Sequence, residues 1–212
     1  MTMKEKAVPG SPQRQTLRSY TEHASDYLKQ WDQRPYRLPP LLGELLSQIP
    51  QGTWVLDLGC GPAQDSRFLD RRGFRVVGLD GTWPFLRRAR RRSRRLPLVL
   101  ADLSDPPFRS ASFGGIWAGA SLIHLPKTVL RKTLRTLHNL TEDEAWFGAT
   151  FSHGTGAGIV QGGWIPGRYF SFWRKEELAR AIEANGWTPF VLKVVSNQER
   201  KGRWLNLIAR KN

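Results

Sequence analysis

Residues 54–61 read WVLDLGCG and combine an apolar run, an acid and two closely spaced glycines. The apolar run predicts a buried strand, and Asp57 lies near its carboxyl end. Gly59 and Gly61 allow a tight backbone turn and the close approach of a ligand to the main chain. A buried strand that enters a helix through such a turn is typical of a cofactor-binding unit. We therefore expect Asp57 and this turn to hold a small cofactor.

The segments around this turn alternate between strand and helix patterns. The predicted strands are TWVLDL, FRVVGLD, LPLVLAD, FGGIWAGA, EAWFGATFS, WTPFVLKVVS and RWLNLIARK. Strand–helix–strand repeats imply right-handed crossovers and a parallel sheet covered on both faces. The last two strands are close enough for a hairpin. The sequence thus predicts a doubly wound, Rossmann-like α/β fold with a mostly parallel seven-stranded sheet and an antiparallel last strand.

Other segments set the predicted domain organisation. Residues 1–13 lack apolar periodicity and are predicted to be a disordered tail. Residues 14–31 and 39–48 carry helical patterns, and the Gly-rich stretch 153–167 is predicted to be a loop. No strong linker divides the chain, so residues 14–212 are predicted to form a single domain with an N-terminal helical extension (14–49).

Composition restricts the possible classes of protein. The chain has 212 residues, of which 40% are hydrophobic, and nine Trp, which favours a folded globular protein. Its apolar runs are far shorter than a membrane span needs, and its N-terminus lacks the apolar core of a secretory signal. The single Cys excludes an intramolecular disulfide and a Cys-based zinc cluster. We expect a cytoplasmic protein without a membrane partner, and a monomer or weak homodimer.

The formal net charge is +15, and seven of these charges lie in RRARRRSRR, residues 87–95. A helix here would have one narrow packed face and a wide arginine face. That face is either simply solvated or binds an anionic partner such as RNA. The sequence leaves both interpretations open.

Three acids follow consecutive predicted strands: Asp57, Asp80 and Asp102. For each acid taken singly, capping of the following helix is an alternative explanation. Together they place carboxylates at one edge of the sheet, where ligands bind in open α/β folds. A nicotinamide-dependent dehydrogenase is one alternative, but the string GCGPAQ lacks the third glycine of the dinucleotide motif.

VLDLGCGPA, followed by VVGLD, LADL and IWAGASLIHLP, resembles the class I S-adenosylmethionine-dependent methyltransferases. The likeness covers about residues 50 to 212. It implies S-adenosyl-L-methionine as cofactor, transfer of a methyl group to a small-molecule acceptor, and no requirement for a metal. RNA methylation and a non-catalytic, cofactor-binding subunit remain alternatives.

The resemblance also implies roles for individual residues. It assigns the ribose hydroxyls to Asp80, with Gly81 beside it, and the adenine to Asp102 and Leu103. Asp57 would orient the turn formed by Gly59, Cys60 and Gly61 and reach the methionine amino group through water. The segment from Ala118 to Ser121 would line the methionine side.

Further candidates lie outside the turn. Residues 14–49 would form a lid in which Tyr20 and Tyr27 act in closure. His124, which follows the fourth strand, is predicted to be the catalytic base. Ala63 and Gly81 depart from the residues common in this family, and Gly81 is expected to leave the ribose end looser.

Overall fold

The computed structural model describes residues 10–32, 34–163, 165–197 and 202–212. The helices are α1 Pro12–Glu22, α2 Ala24–Tyr27, α3 Pro40–Leu46, α4 Gln64–Arg71, α5 Trp83–Arg92, α6 Lys127–Leu140 and α7 Lys175–Glu183. The strands are β1 Trp54–Leu58, β2 Arg75–Asp80, β3 Leu98–Leu100, β4 Phe113–Ala118, β5 Thr141–His153, β6 Ala157–Val160, β7 Arg168–Trp173, β8 Trp187–Asn197 and β9 Gly202–Lys211.

These strands form one sheet in the order β3-β2-β1-β4-β5-β7-β6, with β9 paired to β5 and β8. The neighbouring strands β3, β2, β1, β4 and β5 are all parallel, and β9 is antiparallel to both of its partners. Leu56 of β1 lies between Val77 and Ile116 in register. The prediction of a doubly wound, mostly parallel α/β fold is confirmed, and so are the antiparallel closing strands.

The predicted number of strands was too low, because the described residues contain nine. Part of the predicted Gly-rich loop forms β6, which pairs antiparallel with β7. The side chains of Ser171 and Trp173 are fully buried in β7, so alternate residues of this strand face the core. The high glycine content of 153–167 hid the first of these two strands.

The N-terminal segment, meaning the described residues of 10–50, also differs from its prediction. Helix α1 starts at Pro12, inside the predicted tail, and the side chain of Ser11 caps it; residues 1–9 lie outside the described residues. The predicted helix 14–31 is divided at His23, and residues Leu28–Asp32 form a π-helical turn.

Helix α5 ends at Arg92 rather than at residue 95. Two of its arginines bind Asp32, which is 2% exposed: Arg88 Nε lies 2.6 Å and Arg92 Nη1 2.9 Å from its carboxylate oxygens. The arginine run therefore holds the N-terminal segment against the sheet domain.

Apolar side chains pack on both faces of the sheet. One cluster contains Phe147, Trp173 and Trp187, and the other contains Leu42, Leu45 and Trp117. No helix in the described part of the chain is long and apolar enough to span a membrane.

Candidate functional site

The turn after β1 is held by main-chain hydrogen bonds. Gly59 N–H and Cys60 N–H both donate to the carbonyl of Leu79, at 2.7 and 2.9 Å. Gly59 and Gly61 have φ values of +78° and +55°, which favour glycine. A Cβ on Gly59 would also overlap the Cβ of Ser121. The first glycine of WVLDLGCG is thus required by backbone conformation and by space.

Asp80 joins the end of β2 to this turn. Its Oδ2 accepts a hydrogen bond from Gly61 N–H at 2.9 Å, and its Oδ1 accepts one from Thr82 N–H at 2.7 Å. The residue is 9% exposed, and burial raises the pKa of the carboxyl while the two N–H donors oppose that rise. Asp80 is therefore a preorganised acceptor beside the turn.

Asp57 occupies a more enclosed position. It is 2% exposed, and Ser66 donates its hydroxyl to Oδ2 at 2.5 Å. Burial, followed by the negative charge of Asp65, raises the pKa of Asp57 to about 8. A cationic group brought to this carboxyl would favour its ionised form.

A cavity of about 880 Å³ opens beside Asp57. The turn and the start of α4 form one wall, which includes Gly59, Cys60, Gly61, Pro62, Gln64 and Asp65. The N-terminal segment contributes Tyr27, Trp31, Tyr36 and the prolines that follow. The carboxyl ends of the central strands and the closing hairpin contribute Trp117, Gly119, Thr150, Lys193, Val195, Ser196, Trp204 and Asn206.

Asp65 and two aromatic residues bound to it were not among the predicted site residues. Tyr36 donates its hydroxyl to Asp65 Oδ1 at 2.9 Å, and Trp117 Nε1–H donates to Oδ2 at 2.7 Å. Asp65 lies in the first turn of α4, and Trp117 lies near the carboxyl end of β4. The positions of Asp65 and Trp117, at the start of a helix and at the end of a strand beside the cofactor edge, would have indicated both residues from the sequence.

Comparisons with known proteins find similar methyltransferases. Residues 55–144 match a family model described as a methyltransferase domain. This match covers less than half of the chain.

The curated relatives match parts of the chain. A malonyl-[acyl-carrier protein] O-methyltransferase of Salmonella typhimurium is 37% identical over 68 residues, which cover 32% of this chain and 27% of that protein. A 2-phytyl-1,4-naphtoquinone methyltransferase of Thermosynechococcus vestitus is 37% identical over 99 residues, which cover 42% of this chain and 44% of that protein. The chain thus spans less than half the length of these relatives.

A solved structure matches the whole fold. It is the 1,6-didemethyltoxoflavin-N1-methyltransferase of Burkholderia thailandensis with bound 1,6-didemethyltoxoflavin and S-adenosylhomocysteine. It has a TM-score of 0.78 and 21% identity, and the match covers 100% of this chain and 93% of that one. The fold is that of the class I S-adenosylmethionine-dependent methyltransferases, as the sequence resemblance predicted.

The residues predicted to face adenine follow β3, which pairs with β2 beside Asp80. Asp102 is exposed, and its Oδ1 accepts hydrogen bonds from the main-chain N–H and the hydroxyl of Ser104, both at 2.8 Å. Leu103 is partly buried against the core. Neither residue lines the large cavity. The structure gives Asp102 a turn-forming role, and its contact with adenine stays a prediction.

Gly81 and Ser121 both contact residues of other elements. Leu17 Cδ2 of α1 lies 2.6 Å from the position that a Cβ on Gly81 would take. The space left by this glycine is therefore filled by the N-terminal helix, and a looser ribose end stays a prediction. Ser121 donates its hydroxyl to the carbonyl of Leu58 at 2.6 Å and so ties the β4 end to the turn.

The three remaining candidates lie close to the turn or to α1. Cys60 is buried, and burial raises the pKa of its thiol, which suits packing rather than nucleophilic chemistry. The ring of Tyr27 packs on Phe85 with centroids 4.5 Å apart. Its hydroxyl lies 3.8 Å from where a Cβ on Gly61 would be. His124 is 7% exposed and is not among the residues that line the cavity.

Proposed function

We propose that the protein is an S-adenosylmethionine-dependent methyltransferase that acts on a small-molecule acceptor. The observation that carries the proposal is Asp80, a buried acceptor held by Gly61 N–H and Thr82 N–H beside the β1 turn. The family match over residues 55–144 and the class I fold support it.

The residues present fit S-adenosylmethionine. Each carboxylate oxygen can accept more than one hydrogen bond, so Asp80 can accept from two ribose hydroxyls while it keeps its main-chain donors. Gly61 presents no Cβ on the cavity side, which lets a ligand approach the turn. The acidic character of Asp57 and Asp65 suits a ligand that carries an ammonium and a sulfonium group.

We assign the remaining contacts accordingly. Asp57, Gly59 and Ser121 would hold the methionine part, with Tyr27 covering it from the N-terminal segment. Asp102 and Leu103 would approach the adenine. Residues 14–49 would act as a lid on a single domain, 14–212.

When bound, the cofactor supplies a methyl group already activated on sulfur. The contribution of the chain is then to position two reactants and to exclude water. Tyr36 and Trp117 support this, because Asp65 fixes both rings in the cavity wall. The cavity is large enough for the methionine part and an acceptor together.

A concave, partly aromatic cavity favours a small acceptor over RNA. Residues of the basic helix α5 also serve inside the protein, since Arg88 and Arg92 bind Asp32. RNA remains the second candidate because the net charge is +15.

Titration calorimetry with S-adenosylmethionine, S-adenosylhomocysteine and NAD tests the cofactor. We expect the two sulfur compounds to bind and NAD not to bind. Asp80→Asn should weaken binding by about ten- to hundredfold, because a charged acceptor of two hydroxyls is lost. Asp70→Asn, an exposed acid of α4, is the matched control and should leave affinity unchanged. Equal affinity of the Asp80 variant and the wild type would refute the ribose assignment.

The acceptor class is tested with labelled methyl donor and a cell extract, divided into small-molecule, protein and RNA fractions. Label in the small-molecule fraction supports the proposal. Label in RNA that nuclease removes would support the second candidate instead. Donor binding without label in any fraction would favour a non-catalytic subunit.

A further inference from the structure

His124 is the centre of a hydrogen-bond network that joins three separate elements. Its Nε2 lies 2.9 Å from the hydroxyl of Tyr20 on α1, and its Nδ1 lies 2.7 Å from the main-chain carbonyl of Tyr169 on β7. Arg168 Nη1 donates to the Tyr20 hydroxyl at 3.2 Å. His124 itself belongs to a short 3-10 turn, Leu122–His124, after β4.

The direction of each hydrogen bond follows from chemistry. A carbonyl only accepts, so Nδ1 of His124 carries the proton and Nε2 of the neutral ring accepts from Tyr20. Tyr20 accepts in turn from Arg168. Burial, followed by the positive charge of Arg168, lowers the pKa of His124 to about 4, whereas the hydrogen bond to Tyr169 opposes this. The ring is therefore neutral near pH 7, and Tyr20 already uses the nitrogen that a base would need.

The same network fixes α1 against the cofactor edge of the sheet. Thr16, one turn before Tyr20, accepts a hydrogen bond from Tyr169 N–H at 3.0 Å. The next residue, Leu17, fills the space over Gly81, immediately after Asp80. A displacement of Tyr20 would therefore move the helix that covers the ribose acid.

Ring contacts continue the network toward the turn. The ring of Tyr20 packs edge-to-face on Tyr27 and Phe85, with centroids 5.9 Å apart in both pairs. Tyr27 is the residue that reaches Gly61 and lines the cavity. One hydroxyl thus couples the β4 end, β7 and the cavity wall.

We propose that His124 is a positioning residue, which pins α1 over Asp80 through the Tyr20 hydroxyl, rather than the base that removes the acceptor's proton. The pinning of α1 is a property of the protein alone. Its effect on donor affinity rests on the proposed function.

The experiment compares Tyr20→Phe and His124→Gln with the wild type and with Tyr169→Phe. Tyr20→Phe keeps the ring contacts and removes only the hydroxyl. Tyr169→Phe is the matched control, because only main-chain atoms of Tyr169 take part in the network. Amide hydrogen exchange over residues 12–22 is measured without ligand, and affinity for S-adenosylhomocysteine is measured by calorimetry.

We expect faster exchange over residues 12–22 and about three- to tenfold weaker binding in Tyr20→Phe, which is the effect of one lost hydrogen bond. His124→Gln in the Tyr20→Phe background should weaken binding little further, because the two residues act as one unit. The shape of the pH–rate profile should be retained in Tyr20→Phe and in His124→Gln.

Unchanged exchange and affinity in Tyr20→Phe would overturn the proposal. So would a His124→Gln variant that binds the ligand normally but loses turnover and the acidic limb of its pH–rate profile, since that result identifies a base. If wild-type protein binds neither sulfur compound, the proposed function fails, yet the exchange measurement still decides the pinning.

Discussion

The turn at residues 59–61 and the N-terminal segment meet at the same cavity, but they are held in different ways. The turn is fixed by main-chain hydrogen bonds to Leu79 and by the carboxylate of Asp80. Residues 10–32 of the N-terminal segment are attached through side chains, chiefly Tyr20 to His124 and Asp32 to Arg88 and Arg92. Leu42 and Leu45 of α3, in contrast, belong to the core.

This difference separates a preformed part of the site from a detachable one. Main-chain hydrogen bonds inside a buried βα unit break only when the whole domain unfolds. Side-chain contacts of a terminal segment can break by local opening. A ligand that binds beneath the segment needs such local opening. The turn should therefore tolerate almost no change, and the segment should loosen in steps.

The largest effect is expected for Gly59→Ala. The substitution puts a Cβ on a residue with φ of +78° and overlaps Ser121, so we expect about 3 kcal/mol of lost stability, measured by urea unfolding. Gly73→Ala isolates the backbone cost, because Gly73 has φ of +86° and no atom near its Cβ position. That control should cost about 1 kcal/mol.

The steric part of this effect can be relieved. Ser121→Gly in the Gly59→Ala background removes the atom that the new methyl overlaps, and we expect it to restore part of the lost stability. If Gly59→Ala costs no more than Gly73→Ala, the turn is not the rigid part of the site.

The next effect concerns Asp32→Asn. Asp32 is buried, while the side chains of Arg88 and Arg92 are 36% and 33% exposed and can be hydrated when their partner is lost. We expect a loss of about 1–2 kcal/mol and faster amide exchange over residues 12–32. Glu22→Gln removes the exposed ion pair with Arg18 and should cost less than about 0.5 kcal/mol. Equal losses of stability in the two variants would show that Asp32 does not hold the N-terminal segment in place.

The same contrast explains how much the sequence could predict. The turn, Asp57 and Asp80 are encoded within short βα units, where apolar runs, glycines and strand-end acids lie together in the chain. The fold class and the mostly parallel sheet followed from that local pattern. Strand β6 did not, because glycines masked its alternation.

The contacts of the N-terminal segment could not be predicted in this way. Tyr20 and His124 are 104 residues apart in the chain, and Arg168 lies 148 residues from Tyr20. No local pattern encodes such distances. His124 was therefore interpreted only from its place after β4. Helix α5 was interpreted from its packed and charged faces, without knowledge that Asp32 binds two of its arginines.

Asp57 predicts opposite pH dependences for stability and for donor binding. Its pKa of about 8 in the folded protein lies above the ordinary value, so the folded state binds more protons than the unfolded state between about pH 4 and 8. Stability of the free protein should fall as pH rises through this window. Affinity for S-adenosylmethionine should rise instead, by at most about tenfold per pH unit below pH 8, because the cation favours ionised Asp57.

Asp57→Asn provides the baseline for both measurements, since the donor's own amino group titrates in a similar range. Calorimetry from pH 6 to 9 should show proton release in the wild type that is absent in the variant. Asp65, Asp80 and Cys60 face the same site and remain in both proteins. Identical pH profiles would exclude Asp57 as the titrating group.

The smallest effect is expected for Tyr36→Phe, at the junction of the two regions. Tyr36 belongs to the N-terminal segment, yet its hydroxyl binds Asp65 in the helix that follows the turn. We expect a loss of about 1 kcal/mol in stability, faster exchange in the segment, and donor affinity within about twofold of the wild type. If this single hydroxyl changed donor affinity more than tenfold, the segment and the turn would form one cooperative unit, and the distinction between a preformed and a detachable half of the site would be wrong.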